Sequence, residues 1–124
     1  MKFTKKQIER YSRQIILKKI GTIGQKKLLK SSVLIVGAGG LGSPIAIYLT
    51  SLGVGKIGLV DKDNIEMSNL ARQIIFDTKD IKKNKSSVAI KKLKKINPDL
   101  KFKSFNKKLT KKNIKYIAKD FDLI

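Results

Sequence analysis

The sequence predicts an α/β fold: a Rossmann-like, doubly wound parallel sheet preceded by two N-terminal helices. Three observations carry this prediction. Short apolar runs at 32–36 and 56–60 and an alternating stretch at 101–105 are interleaved with helical patterns at 41–52, 84–96 and 110–119. Glycines crowd the junction between the first run and the helix after it, at Gly37, Gly39, Gly40 and Gly42. Asp61 stands at the end of the second run, nineteen residues beyond Gly42.

Each element has its own local reason. Thr4 can cap a helix running to about Leu17, with Ile8, Tyr11, Ile15 and Ile16 on one face. A second short helix is expected from Ile23 to Leu29. Strand 32–36 (SVLIV) then feeds the glycine loop and helix 41–52. Strand 56–60 (KIGLV) ends in the polar turn Asp61-Lys-Asp-Asn64, and a short helical piece is expected around Ser68–Ile75. Helix 84–96 carries Val88, Ala89, Leu93 and Ile96, and Asn97-Pro98 ends it. Residues 101–105 alternate and read as an outer strand. Helix 110–119 carries Ile114, Ile117 and Ala118, and Phe121–Ile124 reads as the opening of a fourth strand, at which the sequence stops. Right-handed crossovers give the expected strand order 3-2-1-4, with a ligand crevice at the carboxyl ends of the strands. Residues 1–30 form the helical segment of this plan and 31–124 its core.

Composition excludes several functions. The chain has no Cys and no His, which removes disulfides, a thiol nucleophile, a thiolate zinc site and imidazole catalysis within it. No apolar run approaches the ~20 residues of a membrane span. MKFTKKQIER lacks the apolar centre of a signal peptide, so a cytoplasmic protein is expected. The net charge of +20 invites a nucleic-acid partner, but of 29 basic residues only Arg10, Arg13 and Arg72 are arginine. Lysines spread along nearly every element, with few aromatics between them, argue for solvated faces rather than a nucleic-acid surface. In such a chain the three arginines mark positions that want a guanidinium fork, suited to phosphate or carboxylate.

The strand–glycine–helix junction is built to hold phosphate: a tight turn, close backbone approach and a helix N-terminus. Asp61 can accept from ribose hydroxyls. These features do not choose between NAD, FAD, a methyl-donor nucleoside and ATP. Ser68-Asn-Leu-Ala-Arg-Gln73 reads in two ways. In one, Ser68 caps a helix, Leu70 and Ile74 pack inward, and Arg72 and Gln73 are solvated. In the other, Asn69 and Arg72 project three apart from one helical face into the crevice. Hydride transfer leaves a pyrophosphate intact and needs no extra cations, whereas breaking an α–β phosphate bond does. Taken alone, Lys85 and Arg13 are ordinary surface residues.

Arg10-Tyr-Ser-Arg-Gln-Ile-Ile-Leu17, Gly24-Gln25, Leu28–Gly42, Gly53-Val-Gly55, Leu59-Val-Asp61, Ser68-Asn-Leu70, Arg72-Gln73 and Asn97-Pro98 together resemble the ThiF/MoeB/HesA family, bacterial relatives of ubiquitin-activating enzymes. On that resemblance the chain is the N-terminal part of a ThiF-type nucleotide-binding domain. The resemblance implies an adenylyltransferase that takes ATP and Mg²⁺ and a ubiquitin-like sulfur carrier ending in Gly-Gly, for thiamine or molybdopterin synthesis. The carrier's terminal carboxylate attacks the α-phosphorus and pyrophosphate leaves. It implies a nucleotide site from Gly37, Gly39, Gly40, Gly42, Asp61, Asp63, Ser68, Asn69, Leu70, Arg72 and Lys85. Arg13, Arg72 and Lys85 serve the chemistry, Arg13 reaching the triphosphate of the opposite subunit of a homodimer. Lys83-Asn84 departs from the family, which often has Gly with a small or Pro residue there. A nucleotide- and Mg²⁺-binding Asp is expected beyond residue 124, no metal ligand within it, and no zinc CxxC pairs. Three other readings stand beside this one. They are a split-gene partner that binds nucleotide or dimerises without catalysis, a tRNA-modifying dehydratase relative, and an NAD-dependent oxidoreductase.

Overall fold

A computed structural model describes residues 2–124. Three parallel strands, β1 (Ser32–Val36), β2 (Lys56–Val60) and β3 (Lys101–Phe105), form one sheet in the order β1-β2-β3. The register runs Ser32 against Lys56 and Lys56 against Lys101. On the free side of β1, Leu123 makes an isolated parallel bridge to Val33. The expected order 3-2-1-4 is therefore seen as far as the described residues reach.

Period-two alternation sorts the strand side chains between two faces. Ile35, Ile57 and Leu59 face α3 (Gly42–Leu52) and α4 (Lys85–Ile96), where Ala46, Val88, Ala89 and Leu93 complete the larger core. Leu34, Val60 and Phe105 face the other way, onto Ile117 of α5 (Ile114–Ala118) and onto Phe121. Helices on both faces make the sheet doubly wound, and β2 is buried from Ile57 to Val60.

The N-terminal pair, α1 (Lys5–Ile15) and α2 (Gly21–Lys30), docks through polar contacts as well as apolar ones. Thr4 and Gln7 form a reciprocal capping box at the start of α1. The fully buried Tyr11 lies against Gly53, where any Cβ would come within 2.7 Å of its ring, and Gly53 itself sits at φ 87°. Only glycine meets both conditions. The Tyr11 hydroxyl accepts from Asn97 Nδ2 (2.8 Å), which also donates to the Thr50 carbonyl (3.2 Å). Gln14 and Gln25 both donate to the Leu52 carbonyl. Arg10 Nη1 donates to the Ile96 carbonyl at 3.0 Å, at the C-terminus of α4, so this guanidinium serves a helix end rather than a phosphate.

Several boundaries differ from expectation. Helix α1 stops at Ile15, and α2 begins at Gly21 rather than Ile23. Residues 110–113 are a turn closed by Thr110 N to Asn113 Oδ1 (2.8 Å), which shortens the last helix to Ile114–Ala118. The piece around Ser68–Ile75 is a 3₁₀ turn, Met67–Asn69, continued by bonds such as Arg72 N to Asn69 O. Asn69 Oδ1 takes the Glu66 N–H (2.9 Å), a side-chain bond that competes with an α-helical start, so Ser68 is not the cap. A second 3₁₀ turn, Thr78–Asp80, has no counterpart in the sequence reading. No helix among the described residues is long and apolar enough to cross a membrane.

Candidate nucleotide site

The carboxyl ends of β1, β2 and β3 lie side by side, and the sequence-predicted residues gather along them. Gly37 leaves β1 at φ 94°, its N–H held by the Val60 carbonyl at 2.8 Å. Gly42 opens α3 so close to the loop that a Cβ there would lie 1.9 Å from the Gly37 carbonyl oxygen. Gly39 and Gly40 are different. An added Cβ would meet nothing nearer than Gln73 Nε2 at 3.9 Å in the first case and Arg72 Cγ at 3.7 Å in the second. The polypeptide alone does not demand glycine at these two positions. A phosphate resting on the loop backbone does, because it needs the space a side chain would fill.

Asp61 is tied to this loop. Its Oδ2 accepts the Ala38 N–H and its Oδ1 the Asp63 N–H, both at 2.8 Å. The carboxylate is thus fixed between the glycine loop and the strap that leaves β2. Beyond it, Asp63, Asn64, Glu66, Asn69 and Lys85 line a cavity of about 340 Å³. Lys85 is only 7% exposed as a residue, and it lines this cavity with no hydrogen-bond or ion-pair partner for its ammonium among the described residues. An ammonium that opens on a cavity from a packed stem can take an anionic ligand without giving up a protein partner. The first turn of α4 holds Lys85 at the cavity, with its N–H on the Asp63 carbonyl at 2.9 Å. Arg72 lies over Gly40, with Nη1 on the Ser68 carbonyl (3.0 Å), and places a second cation beside the loop.

The remaining expected residues divide. Asn69 is buried and lines the cavity, so it joins the site. Ser68 is exposed and contributes its carbonyl to Arg72. Leu70 packs against the larger core, away from the cavity wall. Arg13 is exposed on α1 and does not line the cavity of its own chain. Two residues stood outside the expected site. Gln73, solvated in one reading of its motif, is instead buried beside Gly39 with its Oε1 unpartnered among the described residues. Asn84 caps α4, a role that its place immediately before the helical pattern signals. Among the described residues no group of three or more Asp or Glu side chains gathers to hold a metal ion.

Residues 11–124 match the ThiF family. The chain is 42% identical over its whole length to a sulfur carrier protein adenylyltransferase of Thermus thermophilus, covering 46% of that protein. It is 46% identical to the sulfur carrier protein ThiS adenylyltransferase of Escherichia coli, over 93% of this chain and 46% of the relative. It is 48% identical to a probable molybdopterin-synthase adenylyltransferase of Porphyra purpurea, over 93% of this chain and 30% of the relative. Among solved structures it is similar to PaaA, with a TM-score of 0.88 and 28% identity over 96% of this chain and 40% of that one. It is also similar to E. coli MccB with ATP, with a TM-score of 0.76 and 32% identity over 86% of this chain and 33% of that one. The chain therefore spans less than half the length of each. With a match over nearly all of its residues, this chain belongs to the ThiF family.

Proposed function

We propose that this chain holds ATP for adenylation of the C-terminal glycine carboxylate of a ubiquitin-like sulfur carrier. The observation that carries the reading is Lys85: a mostly buried lysine whose ammonium has no partner among the described residues and opens on a polar cavity beside the strap that follows Asp61. The relatives named for sulfur-carrier adenylation support it, as does the similarity to a structure holding ATP. A carboxylate oxygen of the carrier forms a bond to the α-phosphorus, and the bond from that phosphorus to the bridging oxygen breaks. The electron pair leaves with pyrophosphate, and no proton moves. The protein needs no nucleophile, only positioning and cations where charge collects. Lys85, Asn69 and Arg72 supply the polar and cationic side, Asp61 the ribose contact. Mg²⁺ belongs to the same proposal. Bound with the nucleotide, it would supply charge to neutralise the phosphates. Arg13, outside its own cavity, serves a second copy's site. The stripe Leu41, Ile45, Tyr48 and Leu52 on the exposed side of α3 supports a homodimer. A cytoplasmic setting goes with this reading.

The test is ATP–pyrophosphate exchange with a Gly-Gly-ended carrier, run with this chain and with a version extended to the length of its relatives. Exchange that requires both carrier and Lys85 is expected from the extended protein. Its absence with every carrier tried would overturn the proposal. Arg13 also favours a second reading, in which this chain completes a neighbour's site without turning over itself. Restored exchange on mixing with an Arg13→Ala extended enzyme would support that reading, and unchanged activity would count against it.

A further inference from the structure

Asn84 joins two sides of the site and belongs to neither the glycine loop nor the expected nucleotide ligands. Its Oδ1 accepts from Ser87 N–H (3.1 Å), Ser87 Oγ (3.1 Å) and Ser86 Oγ (2.7 Å), which caps α4 one residue before Lys85. Its Nδ2 faces three acceptors: the Asp63 carbonyl at 3.2 Å, the Asp61 carbonyl at 3.4 Å and Asn106 Oδ1 at 2.9 Å. Asp61 and Asp63 belong to the strap leaving β2, and Asn106 immediately follows β3. One side chain thus fastens the ends of two neighbouring strands to the helix that carries Lys85. An antiparallel bridge from Asn64 to Asn84 adds a backbone contact at the same point.

We infer that Asn84 is a positioning residue for nucleotide binding. Its amide group ties the Asp61–Asp63 strap, which supplies Asp63 to the cavity lining, to Asn106 after β3, while its carbonyl oxygen aims the first turn of α4. The inference rests on the nucleotide reading above. It deepens that reading by naming the residue that ties the strap carrying Asp61 and Asp63 to the helix that carries Lys85.

Asn84→Asp separates the two roles. It keeps an oxygen for the cap, where a carboxylate is at home, and turns the other oxygen onto three acceptors. Asn84→Ser keeps a capping oxygen, removes the amide and adds no charge, so it controls for repulsion of the nucleotide. Two readouts apply to the 124-residue chain: ATP affinity by calorimetric titration, and amide hydrogen exchange without nucleotide. Both variants are expected to keep the thermal midpoint near wild type. Exchange at Asp63, Ile65 and Lys85 should rise about tenfold while β1 is unchanged. ATP affinity should fall about tenfold. Unchanged exchange overturns the bracket. Raised exchange with unchanged affinity overturns its role in binding. If wild-type chain binds no ATP, the nucleotide reading and the role built on it both fail, while exchange still reports whether the bracket exists.

Discussion

At the scale of single residues, the site combines backbone geometry at strand ends with cations whose placement depends on packing. Gly42 and Asp61 were legible because their work is backbone geometry at the end of a strand, which spacing reveals. Arg10 and Arg13 looked alike in the sequence, two guanidinium groups in one motif. The fold sends Arg10 to the Ile96 carbonyl and leaves Arg13 exposed, a division that depends on which face of α1 meets α4. Lys85 was one lysine among many until its burial separated it from the others. The departure noted at Lys83-Asn84 also acquires a physical form one residue earlier. Lys82 sits at φ 71°, the one non-glycine residue at positive φ among those described. A side chain there costs about 1 kcal/mol relative to glycine. Lys82→Gly is therefore expected to raise the urea unfolding free energy by about 1 kcal/mol, less the entropy glycine adds to the unfolded chain. A loss of stability would show that the strain is absent.

At the scale of elements, the three strands were read to the residue, because the apolar runs of β1 and β2 stop at Gly37 and Asp61, and β3 lies between Asn97-Pro98 and Asn106. The segment after β2 was not. Its buried residues, Ile65, Asn69, Gln73, Ile75 and Phe76, follow no single helical period, and Asn69 satisfies backbone from its side chain. The docking of α1 was invisible because its specificity lies in a polar cluster formed across 86 residues of sequence. Tyr11→Phe removes the hydroxyl that Asn97 Nδ2 donates to. It is expected to cost about 1–2 kcal/mol in denaturant unfolding, without loss of the fold. An unchanged midpoint would mean that the cluster carries no stability.

The last described segment is pinned to β1 by Asp122, whose Oδ2 accepts from the Ser32 hydroxyl (2.7 Å) and N–H (2.8 Å). These hydrogen bonds hold its carboxyl below the ordinary value of 3.8. Asp77 is lowered as well, first by its hydrogen bond from Lys92. For a depressed carboxylate the stabilisation is fully present above the unfolded-state value and lost as pH falls through the folded one. Stability should therefore drop below about pH 4. Asp122→Asn should flatten part of that drop in unfolding midpoints measured from about pH 5 downward. An identical slope in wild type and variant would contradict this clasp.

At the scale of the whole molecule, alternation of elements and one glycine-rich junction were enough to predict a doubly wound sheet. Two cores on opposite faces of β2 show why: each strand alternates its apolar residues, and each face receives a helix. What alternation does not encode is the ligand, since NAD and ATP rest on the same junction. On the proposed reading, that distinction rests on cations placed by non-local packing, Lys85 from α4 and Arg72 from the turn after β2. The net charge of +20 adds a field that favours an anionic ligand without selecting one. The central claim is that these cations make the crevice an ATP cradle. The most direct measurement is calorimetric titration of the chain and of Lys85→Met with ATP, with NAD⁺ as competitor. Methionine fills the same buried volume without charge, and removing a charge-assisted hydrogen bond to phosphate should weaken ATP binding about tenfold or more. That weakening is expected, with no displacement of ATP by NAD⁺. Equal ATP affinity in Lys85→Met, or displacement by NAD⁺, would contradict it.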